Sequence, residues 1–407
     1  CGAWCRRTPC CKSRTACALT TGGIIVFLVG IFFVTLYLAL VRYVAQEAAK
    51  SFLDVDYVET RKYVELNATT GELVYNTWWP GCGYVTNMSQ FEAGCGEPCF
   101  SADLIREIEA AKRIYPGKIV KFRSRAAEGT PIVELAGWWL PPIAGATQTP
   151  GPAVVVQHGF RSNSNMYRQQ VASFMLRKLG FGVLVSDLRD HGYSGSSGTD
   201  TVQWGDAYPY DLLGAWDYVV ADPDGMLGGV RPAGTVALMG TSMGGFTVAN
   251  AFGLEPRVPA AWLDGAPFYV EAAFSFGTAA ELRKQGFGAL EGMILGGVWT
   301  SIKRRAKERG VDIIRNEPER TLPLGPDVRR PFALVHQSDD DTVPFSQLGK
   351  YHSFLDGMKE KYSVTTWEMS GACNGHSHST AALLFYDEYL KRFCAFWHEA
   401  MGTPSCQ

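Results

Sequence analysis

Four short stretches carry side chains whose types and order could do chemistry together. Gly240-Thr241-Ser242-Met243-Gly244-Gly245 sets a serine between glycines directly after an apolar run at 235–239. A strand that stops there and turns at once into a helix holds Ser242 in a strained conformation, its hydroxyl over the sheet edge. Glycines at 240 and 244 remove the Cβ atoms that would collide. Downstream, Asp339, Asp340 and Asp341 stand before Val343-Pro344, and a loop of small residues carries His376 and His378. Upstream, His158-Gly159-Phe160 closes another apolar run. A hydroxyl, an imidazole and a carboxylate are the parts of nucleophilic acyl transfer. The imidazole takes the hydroxyl proton, the carboxylate orients the imidazole, and backbone N–H groups receive the charge that develops on the attacked carbonyl. Phe160 and Met243 are the expected N–H donors.

These residues need a scaffold that brings strand ends together. Apolar runs at 118–122, 132–140, 153–156, 181–185, 236–239, 260–263, 332–335 and 363–367 read as about eight strands. The first two flank a turn at 127–130 and suit an antiparallel hairpin. From 153 onward strands alternate with helical stretches at 166–179, 210–220, 243–252 and 379 to about 400, the pattern of a parallel sheet with helices on both faces. Between 268 and 325 the sequence is apolar and helical with no strand pattern, as expected of a cap inserted above the strand ends. Each chemical stretch then falls just after a strand.

Taken in order, His-Gly at 158–159, Asp-x-Arg-x-His-Gly at 187–192, Gly-x-Ser-x-Gly at 240–244, an acid before Val-Pro and a late histidine resemble the α/β-hydrolase family. The resemblance covers about residues 118–400. It implies an α/β fold with an eight-stranded, mostly parallel sheet, no cofactor, and the chain order nucleophile, acid, histidine. The family motif His-Gly-x-x-Asp-x-x-Val-Pro places the acid at Asp340, with Gln337 a departure at its glycine; Asp339 and Asp341 read as solvated turn residues. His376 directly follows Gly375, whereas the distance from His378 to Tyr389 and to Phe396-Trp397 also matches family members. Both stay open, with His376 favoured. The turn at 187–194 is expected to brace the oxyanion loop, and His352 and His398 to be ordinary surface or packing residues.

The remainder of the chain bounds the setting. Of 407 residues 46% are hydrophobic, and 38 basic against 40 acidic residues leave a net charge of -2, which excludes the basic footprint of a nucleic-acid binder. Residues 22–41 are almost wholly apolar, about the length needed to cross a bilayer. They read as an uncleaved transmembrane anchor, since Arg42 and Tyr43 follow where a signal peptide would place small residues. Arg6, Arg7, Lys12 and Arg14 precede it, so the positive-inside rule puts a tail at 1–21 in the cytoplasm and the domain outside. Residues 42–117 read as a stalk that packs on a domain at 118–401. Of eleven cysteines, five precede the anchor in a spacing that fits no standard zinc pattern; six follow it and permit three disulfides. Asn67-Ala-Thr69 and Asn87-Met-Ser89 are glycosylation sequons.

The expected activity is therefore that of a membrane-anchored serine hydrolase acting on a small-molecule ester or acyl substrate. A peptidase, a thioesterase or an acyltransferase would use the same triad, and the fold alone does not choose among them. A binding module that kept the fold without catalysis is disfavoured by the complete set of parts. The apolar run at 293–299 in the cap reads either as a contact for acyl chains or as packing onto the domain, and the basic run at 303–307 either as a receiver of an anionic head group or as a solvated face, the second reading favoured for the basic run.

Overall fold

In the computed structural model, residues 14–62, 77–79, 83–84, 101–143, 150–373 and 376–402 are described. Both sequons, the tail cysteines at 1–11 and Cys82, Cys95, Cys99 and Cys406 lie outside them.

Eight strands form one sheet: β1 (Lys118–Arg123), β2 (Glu134–Leu140), β3 (Ala153–Gln157), β4 (Gly182–Ser186), β5 (Val236–Thr241), β6 (Ala261–Asp264), β7 (Arg330–Gln337) and β8 (Tyr362–Met369). Their spatial order is β8-β7-β6-β5-β3-β4-β2-β1. The β1–β2 hairpin and the β2–β4 pair are antiparallel, and every other neighbouring pair is parallel. β3, at the centre, is Ala-Val-Val-Val-Gln and fully buried. A strand covered on both faces reads as a continuous β-branched run rather than an alternating one. Its side chains still alternate: Val154 and Val156 join one core, Ala153 and Val155 the other.

Helix α1 (Arg14–Phe52) precedes the sheet, followed by α2 (Ala102–Ile114), α3 (Tyr167–Lys178), α4 (Tyr208–Ala221), α5 (Met243–Leu254), α6 (Val270–Lys284), α7 (Glu291–Glu308), α8 (Ser346–Asp356) and α9 (Tyr386–Met401). One core holds residues of α2, α3 and α9 against the sheet, and a second holds α4, α5 and α8 on the opposite face. Burial of a valine or leucine contributes about 1.5–3 kcal/mol, so these two cores hold the strand ends in place. Residues 102–114 thus pack on the domain, as expected of that stretch.

Two expectations change. The helix that carries the apolar segment is not confined to 22–41: it runs from Arg14 to Phe52. Val41, Ala45, Ala49 and Leu53, four residues apart on one helix face, are buried in a third core with α6 and α7. That stripe is present in the sequence and marks the continuation. The insertion at 268–325, expected only to be helical, is two long helices, α6 and α7, with short turns at Pro318–Thr321 and Leu322–Leu324 leading back to β7. The last helical stretch is likewise split, into Ala381–Leu384 and α9.

Candidate active site

Ser242 sits between β5 and α5 with φ 56° and ψ −126°, a conformation that costs a serine roughly 1–3 kcal/mol. The surrounding contacts hold it there: its N–H donates to the Asp264 carbonyl at 2.7 Å, and its own carbonyl accepts the Phe246 N–H at 3.1 Å. A Cβ on Gly240 would lie 2.3 Å from the Gly244 carbonyl oxygen, and one on Gly244 2.4 Å from that of Gln157. Both glycines are therefore required by close backbone approach.

The turn after β3 runs directly against this serine. A Cβ on Gly159 would lie 3.1 Å from the Ser242 Cβ. Phe160 follows, its ring stacked on Phe52 and Trp204 at 5.9 Å from each. Met243 opens α5, where the first N–H groups have no intrahelical acceptor. The two expected oxyanion donors thus flank the serine from β3 and from α5.

Behind the turn, His158 is fully buried; its Nδ1 bonds the Gly159 carbonyl at 2.9 Å and its Nε2 accepts the Leu188 N–H at 3.2 Å. Burial, then the neighbouring His191, push its pKa well below the ordinary value, so it is a neutral strut. Asp187 accepts the Ser164 N–H at 2.6 Å and the Tyr193 N–H at 3.1 Å; burial pushes its carboxyl up to about 6 despite these bonds. Arg189 forms a buried pair with Asp211 at 2.6 Å. The turn at 187–194 therefore braces the loop that follows β3.

Asp340, at the turn after β7, is buried and meets two imidazoles. His378 Nδ1 lies 2.7 Å from its Oδ2 and His336 Nε2 3.3 Å from the same oxygen, while the Val343 and Thr342 N–H groups donate to Oδ1 at 2.7 and 2.8 Å. Burial works to raise this carboxyl, yet the bonds from His336, His378 and Val343 outweigh it and hold it well below the usual carboxylate range. His378 Nε2 is buried and has no hydrogen-bond partner among the described residues. The ring lies beside Gly265: a Cβ there would be 3.1 Å from His378 Cε1. Gly265 follows Asp264, whose carbonyl anchors the Ser242 N–H.

The order of preference between the two histidines is thereby reversed. His376 has a 74% exposed side chain and faces the partly exposed Asp341 at 3.3 Å; the His378 side chain is 14% exposed. The physical reason is the loop path. Gln337 Nε2 donates to the Gly371 carbonyl at 2.6 Å and its Oε1 accepts the Thr380 N–H at 2.9 Å. Asp339 accepts the Gly371 N–H at 3.0 Å, and its carbonyl accepts the Ser377 hydroxyl. Asp339 is thus exposed, as expected of a turn residue, but it is also a loop clasp. These bonds hold Gly371, Ser377 and Thr380, and position 378, not 376, turns inward. Gln337, the departure from the family motif, is a site residue whose role the sequence did not suggest; its unusual presence at a glycine position was the signal.

Asp264 continues the polar support. Its carboxyl accepts the Tyr389 hydroxyl at 2.9 Å, which in turn accepts the Trp262 Nε1–H at 2.8 Å; burial pushes Asp264 up to about 6. His352 and His398 are exposed, on α8 and α9. Cys373, in the histidine loop, and Cys394, on α9, are both in disulfides. Among the described residues no three His, Cys, Asp or Glu side chains group as metal ligands.

A strained serine at a strand-to-helix turn, in an eight-stranded sheet with a helical cap, defines an α/β-hydrolase-type fold. The family model for the alpha/beta hydrolase fold matches residues 152–297. A solved esterase of Pyrococcus furiosus superposes with a TM-score of 0.50 over 73% of this chain and 96% of that one, at 18% identity. A puromycin-hydrolysing peptidase of Mycobacterium tuberculosis gives 0.48 at 22% identity, over 72% of this chain and 40% of that one. An acylaminoacyl peptidase of Pyrococcus horikoshii gives 0.48 at 18% identity, over 70% and 42%. No curated protein sequence matches the chain. The chain has the α/β-hydrolase fold.

Proposed function

We propose that this chain is a membrane-anchored serine hydrolase that cleaves acyl esters through an acyl-enzyme, with Ser242 as nucleophile, His378 as base and Asp340 as acid. The observation that carries the reading is the 2.7 Å contact between His378 Nδ1 and Asp340, with Nε2 buried and unpartnered among the described residues and the ring against Gly265, next to the Asp264 carbonyl that holds the Ser242 N–H. An ionised carboxylate accepts from Nδ1–H, which fixes the tautomer that leaves Nε2 basic. Nε2 takes the Ser242 Oγ proton as Oγ bonds the acyl carbon, and the Phe160 and Met243 N–H groups stabilise the oxyanion. The carbonyl re-forms as the alcohol leaves with the proton from Nε2. Water then attacks the acyl-enzyme by the same proton relay, giving the acid and free Ser242.

The anchor reading is supported by α1, whose apolar segment is exposed while its continuation is buried against the cap. The span is then single, with the N-terminus cytoplasmic and the catalytic domain outside. Disulfides at Cys373 and Cys394 favour such an oxidising compartment. A fluorophosphonate probe tests the core of the reading: it should label the full chain and leave Ser242→Ala unlabelled. Equal labelling of both would refute it.

A further inference from the structure

Helices α1 and α7 run side by side with an offset that changes by only one residue, out to a pair just past their ends. The Tyr37 hydroxyl donates to the Met293 carbonyl at 2.8 Å, an offset of 256. A Cβ on Gly297 would lie 3.0 Å from a Val41 methyl, 297 − 41 again being 256. Arg309 meets Asp54 at 2.5 Å, an offset of 255. The helices are therefore parallel and in register, and depth along α1 can be read across to the cap. Tyr37 lies four residues before Val41, which ends the apolar stretch; at ~1.5 Å per residue this is roughly 6 Å inside it. The tip of the cap between α6 and α7 lies at that level. It exposes Phe287 at 42% and Met293 at 59%.

Beside this tip a groove of about 480 Å³ opens between α1 and α6. Leu40, Val44 and Ala48 line one wall, and Leu282, Phe287 and Thr278 the other. Glu47 and Glu281, 51% and 57% exposed, belong to its rim. Along α1 it extends from Leu40 to Ser51, eleven residues or ~17 Å. The next residue, Phe52, stacks on Phe160 of the oxyanion turn. One end of the groove is thus level with the apolar segment and the other adjoins the proposed catalytic site. Lys303 and Arg304, one to two turns beyond Gly297 on α7, fall at headgroup height, where cations are favoured beside anionic lipid.

From this register we infer that the cap tip dips into the membrane surface beside the anchor, and that the α1–α6 groove takes the acyl chain of a bilayer lipid and leads it to Ser242. The inference rests on the anchored-hydrolase reading. It goes beyond it in naming a bilayer lipid as the substrate source and a path with one wall, α1, outside the matched family region. The acyl chain then need not leave the bilayer for water, where each methylene would be hydrated.

The full chain in phosphatidylcholine vesicles, doped with a phosphatidylcholine bearing a diazirine on its acyl chain, tests the groove directly. Photolysis should cross-link peptides containing residues 43–51 and 277–287; cross-links confined to residues 22–41 would overturn the inference. In the same vesicles Ala48→Trp and Thr278→Trp fill the groove from opposite walls. Each should lower the ratio of palmitate to butyrate nitrophenyl ester turnover about tenfold or more, the scale of losing a fitted apolar contact. A ratio equal to that of the unsubstituted chain would overturn it. Cross-linking needs no turnover, so it decides the groove even where the hydrolase reading fails, and fluorophosphonate labelling decides that reading by itself.

Discussion

Asp340 holds His378 at 2.7 Å, while His376, two residues earlier in the same loop, is turned outward to Asp341 at 3.3 Å. The two histidines thus differ in burial and in partner although they differ little in sequence position. If the acid must orient the base, only one of them is placed for it.

The corresponding prediction separates them. His378→Ala should lower kcat for a nitrophenyl ester by roughly 10³-fold or more, the loss seen when a triad base is removed. His376→Ala should stay within about threefold, since an exposed side chain outside the reaction contributes little to transition-state binding. The reverse ranking would return the base to His376.

Gln337 gives a test of loop positioning. It joins β7 to the histidine loop on both sides, through Gly371 and Thr380. Gln337→Gly restores the residue of the family motif but removes these bonds. We expect kcat to fall about tenfold with KM nearly unchanged, because a loosened loop misplaces the base without altering substrate contacts. A pure rise in KM would assign Gln337 to substrate binding instead.

Glu317 predicts a pH dependence of stability. It is almost fully buried and accepts the Val270 N–H at the start of α6 at 3.3 Å. Burial pushes its carboxyl up to about 7, above the value it has in an unfolded chain, despite that bond. The folded state therefore binds the proton more tightly. Its stabilisation is full below the ordinary carboxylate range, declines as pH rises toward about 7 and is gone above it. Glu317→Gln keeps the acceptor without the charge, and should raise Tm at pH 8 by about 2–5 °C, with the gap narrowing toward pH 4.5. Scanning calorimetry at both pH values checks this; an equal gap at each would show that the charge is not the cause.

Asp340 works in the opposite sense. Its carboxyl is held below the usual range by its two imidazoles and the Val343 N–H, so its contribution is present through neutral pH and lost in strong acid. It makes Asp340→Asn a destabilising as well as an inactivating change, whereas His376→Ala should leave Tm unaltered.

Much of the architecture was legible along the chain. Each strand of the parallel sheet is a short β-branched or apolar run bounded by turn residues, so a window of five or six residues carries the signal, as at 153–157. The serine elbow was legible for the same reason: Gly240 and Gly244 answer to contacts made within a few residues and the strand beside them. The reach of α1 beyond the apolar segment was written in the 41-45-49-53 stripe, but the composition boundary at Arg42 is a stronger local signal and obscured it.

The sequence by itself determined the sheet, the serine between its glycines, the order of acid and histidine, and the apolar segment, because each depends on residues adjacent in the chain. The tertiary structure alone decided which histidine faces Asp340 and where α1 meets the cap. Both depend on contacts across long separations, from Gln337 to Thr380 and from Tyr37 to Met293. A side chain's direction in a loop is set by the partners that hold the loop, and those partners are neighbours only once the chain has folded.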